Sequence, residues 1–152
     1  CAAAVAVLLS IVYILYSTGF AGSVSFDVLP APQGVWVLSM ENKTAHTVTV
    51  AVPGNGGKDA ARADYTVFVE MQESGQTEFR RLPDTEHAWV YSGTAGTDGG
   101  PVNVGAGLNA KWTLNPRTLS LPAPDALLRV LVMSGHRPIF AQELAFETKQ
   151  SK

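Results

Sequence analysis

Beyond its first residue this chain has no cysteine. Everything after Cys1 is therefore excluded from forming a disulfide, a cysteine-based zinc site, a thiol nucleophile or a type I copper centre. Charge of either sign is scarce: Asp, Glu, Lys and Arg make up 16 % of the residues, and the formal net charge is −2. The 11 Lys and Arg are scattered and leave no basic stripe, which argues against nucleic acid as a partner. No G-x-S-x-G elbow occurs, and the α/β pattern that would present one is missing. The most localised absence is at the start. Residues 1–26 carry no charged side chain, and the first formal charge is Asp27.

What fills that uncharged start is apolar. Residues 1–20 read CAAAVAVLLSIVYILYSTGF. About 20 apolar residues rising 1.5 Å each span a hydrocarbon core of roughly 30 Å. The run predicts a single transmembrane helix over residues 1–22, followed by a domain over 23–146 and a polar tail over 147–152. Cytoplasmic flanks collect Lys and Arg, and this flank has none before Lys43. Tyr13, Tyr16 and Phe20 fall toward the same end, where aromatic rings favour the interface. The expected orientation puts the domain outside the cytoplasm, which for a bacterial chain is the periplasmic side of the inner membrane. Cys1 is a candidate lipidation site. A lipidated Cys1 would lie at the outer face, however, and a spanning helix behind it would carry the domain inward. A signal-anchor helix with basic residues ahead of Cys1 avoids that conflict. A remnant secretory h-region is the third reading, although such regions usually run about 7–15 residues. Ala2, Ala3, Ala4 and Ala6 are small, and small residues let helices approach closely in lipid.

After residue 22 the apolar period changes to two. Val24, Phe26 and Val28 alternate with Ser25 and Asp27. Residues 45–52 (AHTVTVAV) put His46, Val48, Val50 and Val52 on one face. Residues 64–71 put Tyr65, Val67, Val69 and Met71 on one face. Residues 34–42 (GVWVLSMEN) look apolar on both faces near their middle. Further strands are expected over 77–82, 87–93, 110–115, 126–134 and 139–146, with Gly and Pro punctuating the gaps. This pattern predicts an all-β domain, an antiparallel β-sandwich of Ig-like or related topology, with a small barrel as the alternative. Val48, Val50, Val67, Val69, Val130 and Val132 are expected in its core. Trp36, Trp89 and Trp112 are expected to fill it.

The candidates for chemistry are few. His46, His87 and His136 fall on three separate segments, and Met40, Met71 and Met133 sit in apolar strands where packing is their ordinary role. Residues 54–59 (GNGGKD) lack the spacing of a phosphate loop. Asp84, Glu86 and Asp98 follow no calcium-loop pattern. Asn42-Lys43-Thr44 matches a glycosylation triplet, a match common by chance. No catalytic residue, cofactor site, metal site or small-molecule substrate is expected, and the chain reads as a non-enzyme.

The remaining feature is the stretch from Ser92 to Asn109, Gly-rich and ionisable only at Asp98. Long uncharged loops are ordered most readily by docking on a partner. Ser92, Thr94, Gly96, Asp98, Gly99, Gly100, Asn103 and Asn109 are therefore the candidate partner-binding residues, and Ala2, Ala3 and Ala6 the candidate helix-packing residues. The function expected is a non-catalytic accessory subunit, structural or for assembly, of a larger membrane complex, with respiratory and photosynthetic complexes as the leading classes. Its partners would be other membrane subunits and the bilayer. The alternative is a free-standing envelope binding or sensing protein, anchored by a helix or by lipid.

Overall fold

The computed structural model describes residues 22–52, 61–82, 89–92, 101–115 and 126–144. The expected spanning helix, apart from Gly22, and the polar tail lie outside the described residues. No helix among the described residues is long and apolar enough to cross a membrane.

The described residues form ten strands in two sheets. In chain order they are β1 (Val24–Ala31), β2 (Val35–Asn42), β3 (Val48–Ala51), β4 (Tyr65–Gln72), β5 (Arg80–Arg81), β6 (Trp89–Tyr91), β7 (Val102–Val104), β8 (Asn109–Leu114), β9 (Leu127–Ser134) and β10 (Arg137–Leu144). One sheet has the order β1-β2-β8-β6. The other has the order β10-β9-β4-β3-β7, with β5 beside the far half of β4. The all-β expectation holds, and the two sheets enclose one core. All six valines named above are buried, as are Trp36, Trp89, Trp112, Met40 and Met71.

Three expectations need correction. First, the larger sheet is mixed. β3 and β4 pair in parallel, Val50 against Tyr65 and Ala51 against Thr66. A parallel pair needs a crossover of a dozen or more residues, and residues 52–64 supply it by returning the chain to the end where β3 began. Asp64 pins this pair: its Oδ2 accepts from the Thr49 amide at 2.8 Å and from the Thr49 hydroxyl at 2.9 Å, and its own amide donates back to Thr49 Oγ1 at 2.9 Å. Second, β2 is buried on one face only. Trp36, Leu38, Met40 and Asn42 point inward, and Val35, Val37, Ser39 and Glu41 point outward. Third, residues 102–104 form a strand with Val102 and Val104 buried, so the Ser92–Asn109 stretch is not one continuous loop.

The inward end of β2 is a polar residue, Asn42, with no exposed surface. Its Nδ2 donates to the carbonyls of His46 (2.8 Å), Val104 (2.9 Å) and Gly105 (3.1 Å). Its Oδ1 accepts from the Thr44 amide at 3.0 Å and the Thr44 hydroxyl at 2.6 Å. Its backbone amide donates to Leu108 O, and its carbonyl accepts from Gly107 N. One side chain thus ties the β2–β3 turn to the β7–β8 turn, and so one sheet to the other. Gly107 supports this with a φ of 71°, a left-handed conformation that glycine adopts without a Cβ clash.

The chain enters beside this knot. Ser23 O accepts from Lys43 N at 3.0 Å. Gly22 packs so closely that a Cβ on it would lie 1.8 Å from Lys43 O. The registers of β3 with β7, β3 with β4 and β4 with β9 carry the same level across the second sheet. The β9–β10 turn at Gly135-His136 therefore lies at this end too. At the open side of the sandwich, Gln142 Nε2 donates to Val28 O at 2.8 Å, joining β10 to the edge strand β1. Phe26 packs there against Tyr65 and Phe140, with centroids 5.4 and 6.4 Å apart.

Two measurements test this account. Asn42→Ala strands buried carbonyls of both turns and should cost about 2–4 kcal/mol in urea denaturation. Lys43→Ala next to it, which breaks only an exposed ion pair with Glu41, should stay within about 0.5 kcal/mol. Equal midpoints for the two variants would contradict the role of Asn42. The phenol of Tyr65 is held above its ordinary value of 10.0, first by burial and second by the Asp64 carboxylate. The unfolded chain releases this proton near pH 10 and the folded chain only above it. The stability it contributes is therefore present below pH 10 and lost as pH rises beyond. Melting temperatures followed from about pH 9 to 11 should fall less steeply for Tyr65→Phe than for the unaltered chain.

Candidate interaction faces

The outer face of the β1-β2-β8-β6 sheet is an ordered grid, because register places outward residues in cross-strand rows. Nearest the chain entry lie Ser25, Glu41 and Asn109. The next row is Asp27, Ser39 and Lys111, with Ser92 alongside through its amide bond to Lys111 O at 2.9 Å. The third row is Leu29, Val37, Thr113 and Val90. It crosses all four strands, about 14 Å at the usual strand spacing. Its ends are open: Leu29 is 53 % exposed and Val90 66 %. Two of the four exposed large apolar residues among the described residues thus share one row.

The two polar rows form a shallow open hollow of about 400 Å³. Its rim carries Asp27 and Glu41 against Lys111, and the small hydroxyls of Ser25 and Ser39 leave the depth. No nucleophile–base–acid arrangement occurs in it. It offers hydrogen bonds and opposed charges.

The outer face of the other sheet is different. Phe68, Leu131 and Met133 are half-buried there, with Phe68 opposite Leu131 and Thr66 opposite Met133. The Arg81 guanidinium lies 3.5 Å over the Phe68 ring, and that of Arg129 lies 3.8 Å over Phe79. Arg129 also holds the nearly buried Glu70 carboxylate, with Nε donating to Oε2 at 2.9 Å and Nη2 to the same oxygen. These stacked cations roof the apolar centre of that sheet. The signal in the sequence is that Phe68 interrupts the alternation of Val67 and Val69, and Leu131 that of Val130 and Val132. Both strands are apolar on both faces, which marks a sheet face that needs a cover.

The candidate partner-binding residues divide. Ser92 and Asn109 lie on the outer face of the four-stranded sheet. Asn103, opposite Thr49, lies on the outer face of the other. All three are exposed. Thr94, Gly96, Asp98, Gly99 and Gly100 lie outside the described residues, as do Cys1, Ala2, Ala3 and Ala6. So do His87, Asp84, Glu86 and residues 54–59. His46 and His136 are exposed on separate turns, and no group of three or more metal-ligating His, Cys, Asp or Glu occurs among the described residues. The Asn42 triplet is closed to glycosylation in the folded domain, since its amide is buried and fully bonded. Leu29, Val37 and Val90, which sequence reasoning passed over, sit in strands whose inward neighbours are more conspicuous: Val28, Trp36, Leu38, Trp89 and Tyr91.

No protein-family description matches this chain, and no curated protein is significantly similar to it.

The Glu70–Arg129 pair gives a direct test of the roofed face. Arg129→Ala leaves a nearly buried carboxylate without its cation and should cost about 3 kcal/mol in urea denaturation. Replacing both residues by Leu should recover a large part of that loss. A double variant as unstable as the sum of its singles would show that the pair is not coupled.

Proposed function

We propose that this protein is a non-catalytic accessory subunit, structural or for assembly, of a larger membrane complex. In this reading residues 1–22 span the inner membrane once as a helix, with Ala2, Ala3 and Ala6 packing against neighbouring helices. The β domain stands on the periplasmic face and docks on another subunit of the complex. An energy-converting complex, respiratory or photosynthetic, is the class of assembly that suits this layout. The reading gives the chain no enzymatic role.

The observation that carries it is the apolar row Leu29–Val37–Thr113–Val90. A row open at both ends on an otherwise polar sheet face costs free energy in water, and covering it with a partner surface regains about 25 cal/mol per Å² of apolar area. The polar hollow beside it supplies the rim of hydrogen bonds that a protein interface needs. Ser92 and Asn109 belong to that rim.

The 400 Å³ hollow favours one other reading, a free-standing envelope protein that binds a small polar solute among Asp27, Ser39, Glu41 and Lys111. The two readings separate by experiment. The full chain is tagged in its own host, extracted in mild detergent, sized, and its co-purifying chains identified. The accessory reading expects a large species of fixed composition. It also expects that Leu29→Ser with Val90→Ser lowers recovery of those chains several-fold while the melting temperature of the domain holds, since both residues are exposed. A lone small species, or unchanged partner recovery by the double variant, overturns it. Proteolysis of spheroplasts checks the topology: residues after 22 should be cut from outside.

A further inference from the structure

Resting on the reading of residues 1–22 as a membrane anchor, we infer that the end of the sandwich where the chain enters lies against the bilayer surface, and that Leu108 inserts into the lipid interface.

Residues 1–21 are uncharged, and Gly22 and Ser23 are already held on the domain by contacts with Lys43. Gly22 and Ser23 thus add no free linker ahead of the first strand. A domain joined this way cannot drift far from the membrane plane. Leu108 lies on the same end, two strands away from Ser23 across β2, a separation of about 10 Å. It is placed there by Asn42, whose amide donates to Leu108 O at 3.0 Å.

Leu108 is 59 % exposed at the tip of a tight turn, where its amide donates to Gly105 O at 3.1 Å. The turn brings only Gly105, Ala106 and Gly107 with it, so no charge opposes insertion. Charges ring the turn at a distance. Lys43 lies on the next strand end, and His136 and Arg137 project at the β9–β10 turn. Arg137 has no carboxylate partner among the described residues. Glu41 and Lys43 offset each other at 3.0 Å, and Asp64 keeps its negative charge while it accepts hydrogen bonds from Thr49. An uncharged apolar tip suits the boundary between headgroups and acyl chains. It does not suit a protein surface specified by shape, because one leucine offers too little area.

The test places a nitroxide at residue 108 through Leu108→Cys in a Cys1→Ser background. The full chain is reconstituted into vesicles of phosphatidylethanolamine and phosphatidylglycerol. A second label at Val90, far from the entry end, is the comparison. The label at 108 should collide with oxygen several-fold more often, and with a water-soluble nickel chelate several-fold less often, than the label at 90. Carbonate washing of the same vesicles reports on the anchor separately. If the chain resists carbonate but both labels are equally accessible to the chelate, the domain stands off the membrane and the inference is overturned while the anchor survives. If carbonate strips the chain from the vesicles, the anchor reading fails and the inference falls with it. Leu108→Ser with an unchanged melting temperature should lose protection from added protease at this turn. Retained protection would also overturn the inference.

Discussion

A buried amide at the end of β2 holds the two sheets in register with one another. Asn42 uses both side-chain atoms and both backbone groups, and its partners lie in two turns that link one sheet to the other and at Val104, the last residue of β7. Apolar packing alone would tolerate a slide between the sheets, since Val, Leu and Met surfaces are not directional. Directional bonds to His46 O, Val104 O and Gly105 O do not tolerate it. A fully satisfied polar network inside a core rigidifies it, and its strength comes from the low dielectric around it. The entry of the chain at Gly22, the position of Leu108 and the start of β8 all follow from that amide.

The strands were legible in the sequence wherever one face is buried and the other wet. β1 and β8 alternate cleanly, and their inward residues are those the period names; in β3 the period finds Val48 and Val50, but Ala51 is buried as well and His46 is exposed. Where the sequence misleads, a specific physical cause is present. Val35 and Val37 made β2 look buried on both sides, because the outer face of its sheet is itself apolar in part. The parallel β3–β4 pair was not readable, since direction depends on where residues 52–64 take the chain and not on the period of either strand. Asn42 gave no sign of its role, because nothing local reveals that its amide meets carbonyls 62 and 63 positions away. The candidate site was legible only at Ser92 and Asn109. Its apolar half belongs to outward positions that are visible only once register aligns four strands.

The two outer faces solve the same problem differently. Both carry apolar residues that water would penalise. On the larger sheet, Arg81 and Arg129 lay their planar guanidinium groups over Phe68 and Phe79, and Glu70 neutralises one of them. That cover is internal to the domain, and it leaves Ile139 of β10 exposed at the edge. On the smaller sheet no side chain among the described residues folds over Leu29 or Val90. The contrast is why the smaller sheet, rather than the larger, is the surface assigned to a partner.

The bond from Gln142 to Val28 joins residues separated by 114 positions in the chain. Among the described strands β1 is made first and β10 last, so the edge of β1 stays open until β10 emerges. At about 5–20 residues per second, that interval is roughly 6–23 s. During it β1 and β2 can form their hairpin, but Phe26 has neither Tyr65 nor Phe140 to cover it at first, and the Val28 carbonyl has no donor. The nascent chain thus exposes a strand edge and an aromatic ring for seconds, a time in which pairing with another chain competes with folding. The sandwich is closed by its C-terminal strand, and a ribosome that stalls before residue 140 leaves behind an adhesive fragment rather than a smaller domain.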